Sequence, residues 1–96
     1  MKVVWDPAKN LANQKNHGLS FEDAQELFTS DVDYLEIFDD AHSTEEDRFL
    51  AIGPIRQGLV LVVWTERDEG TVRIIGARWA TPRERDMFIS CMEERS

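Results

Sequence analysis

Four arginines, Arg73, Arg78, Arg83 and Arg85, fall within the stretch Val72–Met87 of a chain whose formal net charge is −8. A guanidinium presents a planar fork of donors that matches phosphate or carboxylate, so this stretch is where an anion would be held. It begins with the pattern of a strand. Val72, Ile74 and Gly76 alternate with Arg73, Ile75 and Ala77. It ends with a helix start: Thr81 as N-cap, Pro82 at the first helical position and Glu84 completing a Thr-x-x-Glu capping box. Strict alternation places Arg73 and Arg78 on opposite faces, which keeps them out of one site. Arg67 shares strand parity with Thr65, so those two reach a common face, and Arg48 is the remaining well-placed cation. Arg78 closes its strand near the helix start, where free backbone N–H groups also attract an anion. The proton-transfer candidate is His17, because an ordinary imidazole titrates near neutrality. His42 lies in an acidic loop and reads as solvated.

The elements that must position these groups follow from composition and pattern. A length of 96 residues with 42 % hydrophobic residues predicts one packed domain over residues 1–96 and argues against disorder. The single cysteine, Cys91, excludes an intramolecular disulfide and a cysteine-rich metal site. The start, Met1 to Pro7, lacks the apolar run of a signal peptide, and no stretch approaches the roughly 20 apolar residues of a membrane span. The expectation is a soluble, cytoplasmic protein with no membrane contact. The acidic excess cuts against nucleic acid as a partner, but the sign is not uniform. Acids dominate Glu22 to Asp47 and arginines dominate Arg67 to Arg85.

Along the chain, Lys2 to Trp5 reads as a strand. Asp6 and Pro7 open a helix to about Asn16, with Ala8, Leu11 and Ala12 as a narrow apolar stripe and Lys9, Asn13 and Asn16 facing elsewhere. Gly18 stops it. Ser20 caps a second helix that buries Phe21, Ala24, Leu27 and Phe28, giving a helical hairpin with His17 at the joint. Strands follow at Tyr34–Phe38, Arg48–Ile55, Leu59–Thr65 and the arginine strand, with an exposed loop at Asp39–Asp47 and a turn at Arg67–Gly70. The run Leu59–Thr65 does not alternate and belongs in the middle of the sheet. The last helix, from Pro82 to about Glu93, gathers Met87, Phe88, Cys91 and Met92 on one face. The class is α+β: an antiparallel sheet of four to five strands, the N-terminal helical hairpin packed on it, and a C-terminal helix.

Several residues in order and spacing carry a family likeness: Trp5, Asp6, Pro7 and Lys9; Asn13, Lys15, His17, Gly18, Ser20, Phe21, Ala24 and Phe28; Glu46, Arg48 and Gly53; Thr65 and Arg67; and Arg73, Ile74, Ile75, Ala77, Arg78, Ala80, Thr81, Glu84 and Arg85. Over nearly its whole length the chain resembles the BrnT family of bacterial toxins, the ribonuclease half of a type II toxin–antitoxin pair. It departs from the family pattern at Gly76, Trp79 and Met87-Phe88. The resemblance implies a RelE-like fold, metal-independent RNA cleavage that blocks translation, and no cofactor. It also implies neutralisation by a ribbon-helix-helix, BrnA-like antitoxin, through which operator DNA is bound, in a heterotetramer.

RNA cleavage without a metal needs a base for the ribose 2′-hydroxyl, a cation for the pentavalent phosphorus and an acid for the leaving oxygen. His17, Arg48, Thr65, Arg67 and Arg78 are the catalytic candidates, and Lys15, Trp79, Arg83 and Arg85 the RNA-binding ones, Trp79 as a stacking platform. Each has a structural alternative. His17 can cap the first helix through a carbonyl and the dipole; the arginines can pair with Glu46, Glu66 or Glu84; Lys15 can be an exposed helix lysine. Glu84 is accounted for by its capping box. Asp39, Asp40 and His42 are the nearest approach to a metal site, in a loop too loose to predict one. Two functions remain open: a toxin endoribonuclease, or a non-catalytic acidic module of the same fold that binds a small basic partner.

Overall fold

The computed structural model describes residues 1–95. The order of elements is β1 (Lys2–Trp5), α1 (Pro7–His17), α2 (Phe21–Ala24), α3 (Glu26–Thr29), β2 (Leu35–Phe38), β3 (Phe49–Ile55), β4 (Gly58–Glu66), β5 (Thr71–Trp79) and α4 (Pro82–Arg95), with one 3₁₀ turn at Asp40–His42. The sheet runs β1-β5-β4-β3-β2. From β2 to β5 it is the antiparallel meander that short connections dictate. The sheet as a whole is mixed, however, because β1 lies parallel to β5. The expectation of an antiparallel sheet fails at that one pairing. A parallel neighbour needs a long crossover, and here the chain between β1 and β5 holds every element from α1 to β4.

β4 is the central strand, and Val60, Leu61, Val62, Trp64 and Thr65 are buried on its two faces. One face packs against α1, α2 and α3, where Leu19, Phe21, Ala24 and Leu27 meet Val60, Val62, Trp64, Val72, Ile74 and Ala77. This is the core face. On the other face Ile52 and Leu61 are buried outside that cluster, and α4 packs there against β3 and β2. No residue of α4 is fully buried, and Met87 and Ile89 are exposed, so α4 covers its face only in part.

The helical layer differs from expectation in two places. The second helix is broken at Gln25 into α2 and α3, although Phe21, Ala24 and Leu27 are buried as its spacing predicts. The stripe of α1 is reversed. Ala8, Leu11 and Ala12 are exposed, Leu11 at 68 %, while Asn10 and Asn13 are buried. The reason is β1. It ends opposite Ile74, while β5 continues to Trp79, and the backbone of Ala77 needs partners there. The Asn13 amide supplies both: its Nδ2 donates to the Ala77 carbonyl (2.8 Å) and its Oδ1 accepts from the Ala77 N–H (3.1 Å). The same Nδ2 donates to the Leu19 carbonyl at 2.8 Å. Asn10 accepts from the Phe21 N–H at 2.8 Å and donates to Glu22 at 2.6 Å. Asn13 thus joins α1 to the sheet and Asn10 joins it to α2, in place of apolar packing, since buried backbone polar groups must be satisfied.

Candidate active site on the open sheet face

The fold positions the cations through one irregularity. Val63 pairs with Gly76 but Trp64 pairs with Ile74, so Ile75 is an extra residue, a β-bulge. The β3–β4 register is unbroken across the same point, which places the insertion in β5. A bulge reverses the alternation beyond it, and burial shows the result: Val72, Ile74 and Ala77 all enter the same core cluster. Arg73 and Arg78 therefore share the face that carries α4, opposite Thr65 and Leu61 respectively. The expectation that strand parity separates them is overturned. The signal was present, because a glycine inside a strand pattern, here Gly76, marks a bulge.

The register builds two cross-strand rows on this face. Arg73 lies beside Val4 on one side and Thr65 on the other. Arg48 precedes Phe49, which pairs with Trp64, so Arg48 flanks Thr65 from the far side. Its carbonyl accepts the Asp39 N–H at 2.8 Å and extends the ladder. With strands about 4.8 Å apart, the backbones of Arg48 and Arg73 are about 10 Å apart across β4, within convergent reach of two arginine side chains. The second row is Arg67, Thr71 and Lys2: the Arg67 N–H donates to the Thr71 carbonyl at 3.1 Å, and Thr71 pairs with Lys2. Lys2 and Arg73 were missed as site residues by sequence reasoning. Neither they nor Arg67 form an ion pair among the described residues.

α4 leaves this end of the face open. Its first turn is held by Arg78 of β5, whose Nη1 and Nη2 donate to Glu84 at 2.7 and 2.8 Å, and it ends near β2, where Arg95 donates to the Tyr34 carbonyl. A Cβ added at Gly76 would meet nothing within 4 Å, which marks the floor between the helix and the arginine rows as free space. The floor is otherwise apolar and half-buried: Val4, Ile37, Leu50 and Val63.

The remaining candidates are placed as follows. Thr65 is buried, and its hydroxyl donates to the Asp47 carbonyl at 2.6 Å. Arg48 is half-buried; its Nε is 3.8 Å from Glu46 and has no hydrogen-bond partner. Arg78 is held in the bidentate pair, and Glu84 also accepts from the Thr81 N–H at 2.9 Å while its own N–H donates to Thr81 Oγ1 at 3.2 Å. The Arg78 guanidinium, and then the Thr81 backbone, hold the Glu84 carboxyl down at about 2 from an ordinary 4.5, against the opposing effect of burial. The same hydrogen bond raises Arg78. Glu84 is thus both a capping-box residue and the anchor of Arg78. His17 ends α1 on the core-face layer and is exposed. The helix end is closed by Gly18, which is left-handed and donates to the Gln14 carbonyl at 2.9 Å; no hydrogen bond of the His17 ring accompanies it among the described residues. Lys15, Arg83 and Arg85 are exposed, and Trp79 is 40 % exposed on the core-face side, against Gly58. The structure therefore gathers Arg48, Thr65 and Arg67, with Arg78 about 13 Å farther along β4, and leaves His17, Lys15 and Trp79 in the other layer. Asp39 pairs with His42 at 3.0 Å, and no group of three or more potential metal ligands converges among the described residues.

A family model described as the ribonuclease toxin BrnT of type II toxin–antitoxin systems matches residues 5–84. The chain belongs to the BrnT toxin family. Among solved structures it is similar to the Brucella abortus ribonuclease toxin BrnT, with 26 % identity and a TM-score of 0.62, over 84 % of this chain and 97 % of that one. No curated protein matches it. The family span takes in both arginine rows except Lys2 and Val4, and it includes Asn13, the bulge and the Arg78–Glu84 pair. No helix among the described residues is long and apolar enough to cross a membrane.

Proposed function

We propose that this BrnT-family chain is a metal-independent endoribonuclease that blocks translation in the cytoplasm. In this reading it is silenced by a small basic antitoxin of the ribbon-helix-helix, BrnA-like kind. The antitoxin contributes the operator-DNA contact and joins two toxin–antitoxin pairs in a heterotetramer. The observation that carries the reading is the open sheet face, where the strand register sets Arg73 and Arg48 on either side of Thr65, and Arg67 and Lys2 lie one row away. Cations fixed on strands supply charge stabilisation at a phosphate without reorganising during reaction, which is the service a metal would otherwise provide. Arg48, Arg67 and Arg73 contact the phosphate. Thr65, its hydroxyl committed to Asp47, sets the spacing between the arginines. Arg78, committed to Glu84, fixes α4 beside the groove. Arg83 and Arg85 at the start of α4, with Lys15 and Trp79 on the other layer, extend the RNA contact.

Of the two proton-transfer candidates, His17 is exposed at the end of α1, in the layer on the other side of the sheet, and Glu46, beside Arg48, is favoured because it adjoins the row. The test is cleavage of a defined RNA by purified protein in excess chelator, together with growth after induction in cells lacking the antitoxin. Chelator-resistant cleavage with growth arrest is expected. A protein that folds but neither cuts RNA nor slows growth would favour the non-catalytic binding module instead.

A further inference from the structure

Behind the arginine rows lies a cavity of about 580 Å³ lined by Glu36, Glu46, Asp47, Phe49, Trp64, Thr65 and Glu66. Its chemistry is opposite to that of the open face. Four carboxylates surround two aromatic rings, Phe49 and Trp64, stacked with centroids 4.8 Å apart. Glu36, Asp47 and Glu66 have no cation within ion-pair distance among the described residues. Trp64 is only 8 % exposed, and its indole N–H is buried without an acceptor. An unpartnered buried donor is costly, and acidic side chains that ring it repel phosphate, so the lining is unsuited to RNA. A cation is favoured twice, by the carboxylates and by the faces of the rings. Beside the cavity, Phe38 is 47 % exposed and touches Phe49 edge-on at 5.6 Å, on β2, the outer strand of the sheet.

We propose that this cavity is the docking site for an arginine or lysine side chain of a basic protein partner, with Phe38 as the apolar shelf beside it. The inference rests on the antitoxin reading above and names where on the toxin that partner is gripped. The cation enters among Glu36, Glu66 and Asp47 and lies against Phe49 and Trp64. Thr65 belongs to both the cavity and the arginine row, Asp47 of the cavity accepts its hydroxyl, and Glu46 pairs with Arg48. A partner seated here therefore stands next to the phosphate site without competing for its cations, which couples docking to inhibition.

The test uses full-length protein and two probes, the co-expressed antitoxin and N-acetyl-arginine amide. Glu36→Gln with Glu66→Gln removes two exposed carboxylates that play no part in the phosphate site, so cleavage by the free toxin is expected to stay at the wild-type level. Antitoxin affinity is expected to fall roughly tenfold or more and to weaken with salt. The arginine amide is expected to shift the Trp64 indole resonance in the wild type and not in the double variant. Equal antitoxin affinity for both proteins, or an indole resonance indifferent to the amide, overturns the docking site and leaves the nuclease reading standing. An antitoxin that binds neither protein overturns the docking site together with the partner half of the functional reading.

Discussion

Asn13 is the residue on which the placement of β5, and so of Arg78, most depends. Its amide makes three hydrogen bonds, two to Ala77 and one to the Leu19 carbonyl, from a position only 8 % exposed. Asn13→Asp keeps the size and still accepts from the Ala77 N–H, but it cannot donate. The carbonyls of Leu19 and Ala77 then lose their partner and face a carboxylate oxygen instead. A buried polar group left unsatisfied costs about 1 to 3 kcal/mol, so two of them give about 2 to 6 kcal/mol. A central value of about 4 kcal/mol lowers the melting temperature of a chain this size by roughly 16 to 32 °C. Asn13→Ala costs less, about 2 kcal/mol, because the space it leaves admits water to the same carbonyls. The assay is urea denaturation of the three proteins, followed by tryptophan fluorescence. The expected order of midpoints is wild type, then Ala, then Asp, at an unchanged m-value. An Asp variant within about 0.5 kcal/mol of wild type, the range of ordinary surface changes, would refute the claim that the amide stands in for a missing strand.

Other perturbations follow from the same structure. Glu84 has a folded-state value depressed to about 2, so its contribution is fully present above the ordinary 4.5 and is lost as pH falls toward 2. Acid titration of stability should show that loss, on the order of 1 kcal/mol because Arg78 is partly exposed, and Glu84→Gln should flatten it. Gly53→Ala should cost about 1 to 3 kcal/mol by overpacking, since its Cβ would lie 2.6 Å from Leu27 Cδ1 and 2.8 Å from Tyr34 Cβ; thermal melts measure it, and an unchanged melt rejects the tight contact. Arg73→Ala should slow RNA cleavage by the equivalent of roughly 2 to 4 kcal/mol of barrier while leaving the melt nearly unchanged. Cleavage by His17→Gln and Glu46→Gln variants decides the base: loss on Glu46→Gln alone is expected, and loss on His17→Gln alone moves the role to the histidine.

What could be read from the sequence was local. The capping box at Thr81 and Glu84, the Ser20 cap and the left-handed Gly18 are set by neighbouring residues, and each forms as its spacing predicts. The unalternating run at β4 is central for the simple reason that both its faces are covered. What was hidden depends on partners far along the chain. The parallel edge strand is fixed by β5, and nothing in Lys2–Trp5 itself encodes the direction of its neighbour. The buried face of α1 was misassigned because hydrophobic periodicity is blind to amides, and here the amides face inward to serve a backbone left unpaired by a short strand. The bulge misled by more, since one inserted residue reverses the face of everything after it.

That reversal organises the site. Without the extra residue, Arg78 would point with Trp64 and Ile74 into the core face, where a guanidinium has no partner and α4 has no anchor. With it, Arg78 meets Glu84 on the face that α4 covers, and Arg73 stands in the uncovered part of the same face beside Thr65. Within the rows Arg48 meets one carboxylate, Glu46. Glu36 and Glu66 alternate away from Arg48 and Arg67 and line the cavity on the other side of Thr65. The sheet thus separates its charges through its thickness, cations outward on one face and carboxylates around the cavity behind them. Such a separation is what the proposed phosphate site needs in a strongly acidic protein, because field and contact are decided within a Debye length of about 10 Å, not by net charge.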